Sequence, residues 1–408
     1  MHKSRISNGI HRKKGAPAIW LDGDVHEEAN HWLNFEVIPS SQSVHTWAQA
    51  ARSLAVWLDW CALIDVDWRF ASELDLVDWR DATLEAISPK TGEPYSPNTV
   101  SLRMGFVYQF LDYAGAQGWY QGNIGLDSNG IKPSYSISRD ALAHTRKGHQ
   151  SATLRRQRLR PRPRVTDVVR VMSRAEIRAL LSTLGPRPSE SRCTSRSNGR
   201  NWLAAAIPLF TGIRSEELLS LRIHQFQAIV VQPEKDYISH DIIVLGKGNK
   251  ERSVSFPGWL IMEINKYINS ERKEASSKVG QKRESRLLLI GKTHHKAGHP
   301  LKKGGLNHII GRGMTTAGLT RIRHTIDPDT RNETPRVLPK YSVHAFRHSY
   351  AAHAYHAHRD AGESDPWKLI QMQLGHSSPK TTIDTYLKYV HFFNEERKDI
   401  NLLSVLND

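Results

Sequence analysis

The 408-residue sequence predicts a mainly α-helical protein with a small β-sheet, divided into a helical N-terminal domain and a mixed α/β C-terminal domain. Three observations carry this prediction. Apolar residues recur every three or four positions over several stretches in both halves. Two short β-branched runs flank a glycine-rich turn at 246–250. Composition changes across an arginine- and proline-rich stretch near residue 155, with eight of the 11 tryptophans lying before residue 120.

In chain order, residues 1–30 read as a basic tail, carrying Lys3, Arg5, Arg12, Lys13 and Lys14 with no acid before Asp22. Residues 31–130 read as a helical domain. One helix is predicted by the stripe Val44, Trp47, Ala48, Ala51, Leu54, Leu58 and Cys61. A second begins at Ser96-Pro97, a capping residue followed by a first-turn proline, and continues through Val100, Met104, Val107, Phe110, Leu111 and Ala114. The tryptophans fit a core better than a base-stacking surface. Residues 131–169 read as an extended linker. Its stretch 146–164 holds Arg146, Lys147, Arg155, Arg156, Arg158, Arg160, Arg162 and Arg164 without an acid, and Pro161 and Pro163 oppose a helix.

The second domain is expected over 170–395, with a C-terminal tail at 396–408. It opens with a capping box, Ser173 and Glu176, ahead of Ile177, Leu180, Leu181 and Leu184, and Gly185 ends that helix. A helix over 200–210 leads through Thr211-Gly212 into another carrying Leu218 and Leu221. A hairpin pairs 242–244 with 253–255. Further helices are expected near 259–270, 343–358, 366–374 and 379–390. Residues 275–340, rich in Gly, Lys and Arg, yield no assignable element.

Composition narrows the function classes. The formal net charge of +16 favours a polyanionic partner, nucleic acid before anionic membrane, since no basic amphipathic helix or lipidation signal stands out. Two cysteines, Cys61 and Cys193, exclude a disulfide scaffold and a cysteine-rich zinc module. No apolar run approaches the ~18 residues of a membrane span. The basic N-terminus lacks the apolar segment of a secretory signal, so the expected compartment is the reducing cytoplasm.

Five segments of the second domain carry chemistry. Thr211-Gly212-Ile213-Arg214 places an arginine just after a glycine turn, and Glu217 can face it across one helical turn. Gly246-Lys247-Gly248-Asn249-Lys250-Glu251-Arg252 exposes lysine on a hairpin tip, without the spacing of a nucleotide-binding P-loop. His344-Ala345-Phe346-Arg347 sets a histidine and an arginine on one helical face and turns Phe346 inward. Leu374-Gly375-His376 ends one helix and places a histidine at the break, and Tyr386 follows ten residues later. Taken singly, each has an ordinary reading: a surface ion pair, a polar hairpin, a capping histidine.

Together, and in this order, they resemble the tyrosine recombinase (phage integrase) family. The surrounding words match as well, including Phe346-Arg347-His348 and Gly375-His376-Ser377-Ser378 with Thr381-Thr382. The resemblance covers 170–392, whereas the preceding helical domain is similar to that family's core-binding domain only in kind. It implies a helical core-binding domain followed by a mixed α/β catalytic domain. It further implies that Tyr386 attacks a DNA phosphate to form a 3′-phosphotyrosyl link, and that Arg214 and Arg347 grip the non-bridging oxygens. Lys247 would protonate the leaving 5′-oxygen, His344 accept the tyrosine proton, His376 donate to the phosphate and Glu217 support Arg214. No metal and no cofactor are expected.

The implied partners are double-stranded DNA, three further copies of the chain in a homotetramer on two DNA sites, and accessory recombinases or DNA-bending proteins. Membrane is not among them. Arg155, Arg156, Arg158 and Arg160 of the linker are candidate DNA-binding residues. Tyr389, one turn beyond Tyr386, is an alternative nucleophile, and Lys250 competes with Lys247. His348, His353, His356 and His358 read as packing residues. The 97-residue gap between Lys247 and His344 implies an insertion, within 270–335, and residues 185–200 look like an added loop. Alternative functions are DNA relaxation of the type IB topoisomerase kind and non-cutting DNA binding on the same fold.

Overall fold

The computed structural model describes residues 4–8, 13–124, 159–162, 170–190, 199–246, 251–278, 285–292 and 296–375. The chain divides into two compact units, one formed by residues 1–166 with 324–335, the other by 167–323 with 336–408. The described residues are mainly helical, with one three-stranded and two two-stranded sheets.

The first unit is built on three long helices: α2 (Val44–Leu63), α3 (Glu73–Glu85) and α4 (Pro97–Ala116). They are preceded by α1 (Glu27–Trp32), which runs on through a π-helical turn at Leu33–Val37. Each long helix starts at a serine whose side chain accepts a main-chain N–H of the first turn: Ser43, Ser72 and Ser96. The expected stripes of α2 and α4 are buried, apart from the exposed Val44 and half-buried Ala48 at the start of α2. The tryptophans are core. Trp57 and Trp79 meet edge to face at 5.4 Å between ring centroids, and Trp32 and Phe110 do so at 5.6 Å.

The segment read as a basic tail instead carries a small antiparallel sheet: β1 (Ser4–Asn8), β2 (Pro17–Leu21) and β3 (Asp24–Val25). Ile19 of β2 is fully buried, and its main-chain N–H and carbonyl both bond to the Asn30 side chain, at 3.0 and 2.7 Å. A strand of five residues beside five lysines and arginines leaves no alternating pattern long enough to detect.

The second unit centres on α6 (Gly199–Thr211), buried along the whole of Trp202–Leu209. Around it pack α5 (Arg174–Leu184), the hairpin β4 (Ser239–Leu245) and β5 (Glu251–Pro257), α9 (Gly258–Tyr267), α10 (Lys303–Thr316) and α11 (Val343–Asp360). Two short helices, α7 (Ser215–Ser220) and α8 (His224–Gln227), follow α6, and α12 (Pro366–Leu374) follows α11. The hairpin register sets Ile242 opposite Val254, both buried, as the sequence predicts.

Two elements of opposite character lie in the unassigned stretch 275–340. Helix α10 is core: Leu306, Ile310 and Met314 are buried, and Gly313 lies so close to α5 that a Cβ there would stand 2.5 Å from Leu184 Cδ2. Four glycines weaken its helical pattern in the sequence. The hairpin β6 (Thr320–Ile326) and β7 (Glu333–Pro339) is mostly exposed, with Ile322 and Val337 in solvent. Of the loop expected at 185–200, residues 191–198 lie outside the described residues, and Ser189 is anchored through its N–H and hydroxyl to the buried Glu263. The helix expected at 379–390 also lies outside them.

The capping box of α5 is present, with Ser173 Oγ accepting the Glu176 N–H at 3.2 Å and Glu176 Oε2 accepting the Ser173 N–H at 2.8 Å. Replacing Ser173 by Ala is expected to cost about 1 kcal/mol. Urea unfolding followed by tryptophan fluorescence checks this, and an unchanged midpoint contradicts it.

Candidate active site

The site is assembled from four chain segments of the second unit. The first is the turn between α6 and α7. Gly212 takes φ +69°, and a Cβ there would lie 2.6 Å from Tyr350 Cδ1 and 2.7 Å from Leu374 Cδ2. Both backbone conformation and space therefore require glycine. The turn delivers Arg214 to the N-terminus of α7, where Glu217 Oε2 accepts its main-chain N–H at 2.7 Å and Glu217 Oε1 accepts from Nη1 at 3.2 Å. The Glu217 side chain is 1% exposed, whereas Arg214 is 37% exposed. The carboxylate is thus internal scaffolding and the guanidinium faces outward.

The second segment is β5. Arg252 shares an inward face with Val254 and Phe256 and closes on Glu217 with a two-pronged ion pair, Nε to Oε1 at 3.1 Å and Nη2 to Oε2 at 2.8 Å. Burial opposes ionisation of Glu217, but the hydrogen bonds from Arg252 and the Arg214 N–H, with the two guanidinium charges, outweigh it. The carboxyl is held below its ordinary range.

The third segment is the end of α12. Gln373 donates to Thr211 O at 3.0 Å and Ser255 O at 2.8 Å, and accepts the Ser255 N–H at 2.9 Å. Its own carbonyl accepts from Arg252 Nη1. Gly375 ends α12 in the left-handed conformation, φ +62°, where a Cβ would stand 2.7 Å from Arg252 Cδ.

The fourth segment is the start of α11. Phe346 is buried, as its spacing predicts, and His344 is exposed. Its ring meets His348 edge to face at 4.6 Å between centroids. Surrounding protein, then the Arg347 and Arg214 charges, lower the His344 pKa, favouring the neutral imidazole. Arg347 is only 2% exposed, and its two terminal nitrogens donate to Gly212 O, at 2.7 Å, and to Leu374 O. The guanidinium joins the carbonyls just ahead of Arg214 and of Gly375, because both turns leave a carbonyl without a helical partner.

Of the expected residues, Arg214, Glu217, His344 and Arg347 come together. Lys247, His376 and Tyr386, with the alternatives Lys250 and Tyr389, lie outside the described residues, as do Arg155, Arg156 and Arg158. Arg160 is described, and its guanidinium carbon sits 5.9 Å from the Tyr108 ring centroid. His353 Nε2 donates to Met172 O at 2.8 Å, a packing role in keeping with its reading. Among the described residues no three His, Cys, Asp or Glu side chains are grouped to hold a metal, and no helix is long and apolar enough to cross a membrane. Tyr350, beside Gly212, is a packing residue: burial pushes its phenol up to about 12.

Residues 170–391, just over half of the chain, match the phage integrase family, and the chain belongs to that family. It is 25% identical over 226 residues to a tyrosine recombinase XerC of Lacticaseibacillus casei, covering 55% of this chain and 60% of that protein. It is 26% identical over 230 residues to a tyrosine recombinase XerH of Campylobacter jejuni, covering 56% and 49%. The chain thus matches about half to three-fifths of the length of these curated relatives. Among solved structures, the XerH recombinase bound to palindromic difH substrate, a post-cleavage complex, superposes with a TM-score of 0.54 at 18% identity, over 87% of this chain and 80% of that one. The Tn1549 transposon integrase in complex with circular intermediate DNA gives 0.50 at 14%, over 88% and 94%. The fold is therefore mainly α with small sheets, of the tyrosine recombinase type.

Two residues of the site went unassigned in the sequence reading. Arg252 lay within a quoted motif, and its signal was a cation on the inward face of a strand, at period two from Val254 and Phe256. Gln373 carried no local signal. The arrangement predicts that Glu217→Gln destabilises the second unit by roughly 3 kcal/mol, since it leaves the partly buried Arg252 without its counter-charge. Chemical denaturation measures this, and a loss under 1 kcal/mol contradicts it.

Proposed function

We propose that the protein is a site-specific DNA recombinase that breaks and rejoins strands through a 3′-phosphotyrosyl intermediate, in the integration, excision or transposition of a mobile element. The observation that carries this reading is the outward-facing pair Arg214 and His344, backed by Arg347, in a chain whose family match extends through Tyr386. A guanidinium of fixed charge and planar geometry suits a phosphate whose oxygens gain charge in the transition state. An imidazole near it, whose pKa that positive charge lowers, can accept a proton in its neutral form.

In this reading the Tyr386 oxygen attacks the phosphorus and loses its proton to His344. The bond from phosphorus to the 5′-oxygen breaks, and Lys247 supplies the proton that makes the free 5′-hydroxyl. His376 donates a hydrogen bond to a non-bridging oxygen. The covalent link conserves the energy of the broken bond. A 5′-hydroxyl from the partner duplex then attacks the phosphotyrosine, reversing each proton transfer and releasing Tyr386. Arginine charge stabilises the phosphate throughout, so the step proceeds without a divalent metal.

The substrate is duplex DNA, held by a homotetramer on two sites, with accessory DNA-bending proteins or recombinases as further partners. The excess of cations supports a polyanionic partner. Arg155, Arg156, Arg158 and Arg160 are proposed to follow the DNA backbone, the chain being read as a core-binding domain over 31–130, a linker over 131–169 and a catalytic domain over 170–395. The cytoplasm is the proposed compartment.

Tyr386→Phe is expected to abolish the covalent protein–DNA adduct formed in EDTA on duplexes from the DNA flanking the coding gene. Denaturing gels check this; an undiminished adduct moves the nucleophile to Tyr389. On a supercoiled plasmid carrying those ends, topoisomers without recombinants would favour simple relaxation. Replacing the four linker arginines by Gln should flatten the salt dependence of DNA binding by roughly three to four units of log–log slope. An unchanged slope contradicts their role.

A further inference from the structure

We propose that Arg252 and Gln373 are positioning residues that hold the three catalytic segments of the site in one register. Neither needs to touch DNA. The inference rests on the strand-cleavage reading for its kinetic consequence, and on geometry alone for its structural one.

The Arg252 guanidinium uses all three nitrogens on protein partners from two other elements. Two grip Glu217, which carries Arg214, and the third grips the Gln373 carbonyl, two residues before Gly375. Arg252 itself, on β5, lies five residues beyond Lys247 in the sequence. One side chain therefore links the Arg214 turn, the Lys247 hairpin and the helix end that precedes His376.

The Gln373 amide makes a second link between the same segments. Its oxygen accepts the Ser255 N–H and its nitrogen donates to Ser255 O, so it pairs with β5 as a neighbouring strand would. That nitrogen also donates to Thr211 O, one residue ahead of Gly212. Neither link tolerates much displacement. A Cβ at Gly375 would collide with Arg252, and one at Gly212 with Leu374. Lysine has a single nitrogen at the position of Arg252 and cannot span both carboxylate oxygens while reaching a third acceptor.

The test uses the full chain with Arg252→Met, Arg252→Lys and Gln373→Met, and two readouts. The first is amide hydrogen exchange without DNA. In folded variants, amides of 211–218 and 371–375 should exchange at least tenfold faster, while those of 177–184 in α5 stay within twofold. Exchange within twofold at all of these segments would overturn the inference. Arg252→Lys and Gln373→Met keep this readout available if Arg252→Met does not fold.

The second readout uses nicked duplex from the DNA flanking the coding gene. The inference expects adduct formation in a single turnover to fall at least 100-fold in Arg252→Met, less in Arg252→Lys, with DNA affinity within threefold of the unmodified chain. A rate within threefold, or a parallel loss of affinity, would overturn it. If the unmodified chain forms no adduct on this duplex, the strand-cleavage reading fails, and the exchange measurement still decides the structural link.

Discussion

A single buried carboxylate organises the second unit's candidate site. Glu217 is nearly inaccessible to solvent, and an unpaired charge in that position would cost several kcal/mol. It persists because Arg252 closes on both its oxygens and Arg214 supplies a main-chain N–H and a side-chain N–H. Each partner is fixed in return. Arg214 cannot swing away from α7 without uncovering the carboxylate, so its remaining surface points outward. β5 cannot slide past α7 without parting an ion pair whose geometry is specific to a guanidinium and a carboxylate. Arg347 repeats the logic with neutral partners, tying the Gly212 and Leu374 carbonyls together from beneath.

Much of this was legible in the sequence, and the reason is chemical. A glycine turn ahead of an arginine, a histidine and an arginine three apart, and a glycine closing a helix are each local statements, written in residue types with few alternatives. The capping serines at 96 and 173 are equally local, whereas those at 43 and 72, and the helix that Ser72 opens, went unread. What escaped was non-local or disguised. Gln373 pairs with Ser255 across 118 positions, and nothing in its neighbours marks it. Helix α10 hid behind four glycines, of which Gly313 is required by close packing against Leu184. The β1–β3 sheet hid behind a charge pattern that suggested a tail. Arg347 was recognisable as a member of the site, but its burial depended on where two distant carbonyls happened to lie.

The first unit follows a different principle. Its core is aromatic, with Trp32, Trp57, Trp79 and Phe110 fully enclosed and meeting edge to face, and its helices are set by capping serines. Large, rigid side chains bury much surface at little entropic cost, which suits a small helical domain. Among the described residues, the candidate site lies in the second unit, on turns and helix ends around the α6 core.

The account stands on the claim that Glu217 stays charged in its buried position because two arginines hold it so. Carbon-13 NMR of the glutamate side-chain carboxyls, with Glu217 assigned through Glu217→Gln, measures that directly. The account predicts a resonance that remains ionised as pH falls through the ordinary glutamate range and titrates only below it. The stability this charge contributes would be present above that range and lost as the folded carboxyl takes up its proton. A Glu217 signal that titrates with the surface glutamates, or above them, would contradict the claim.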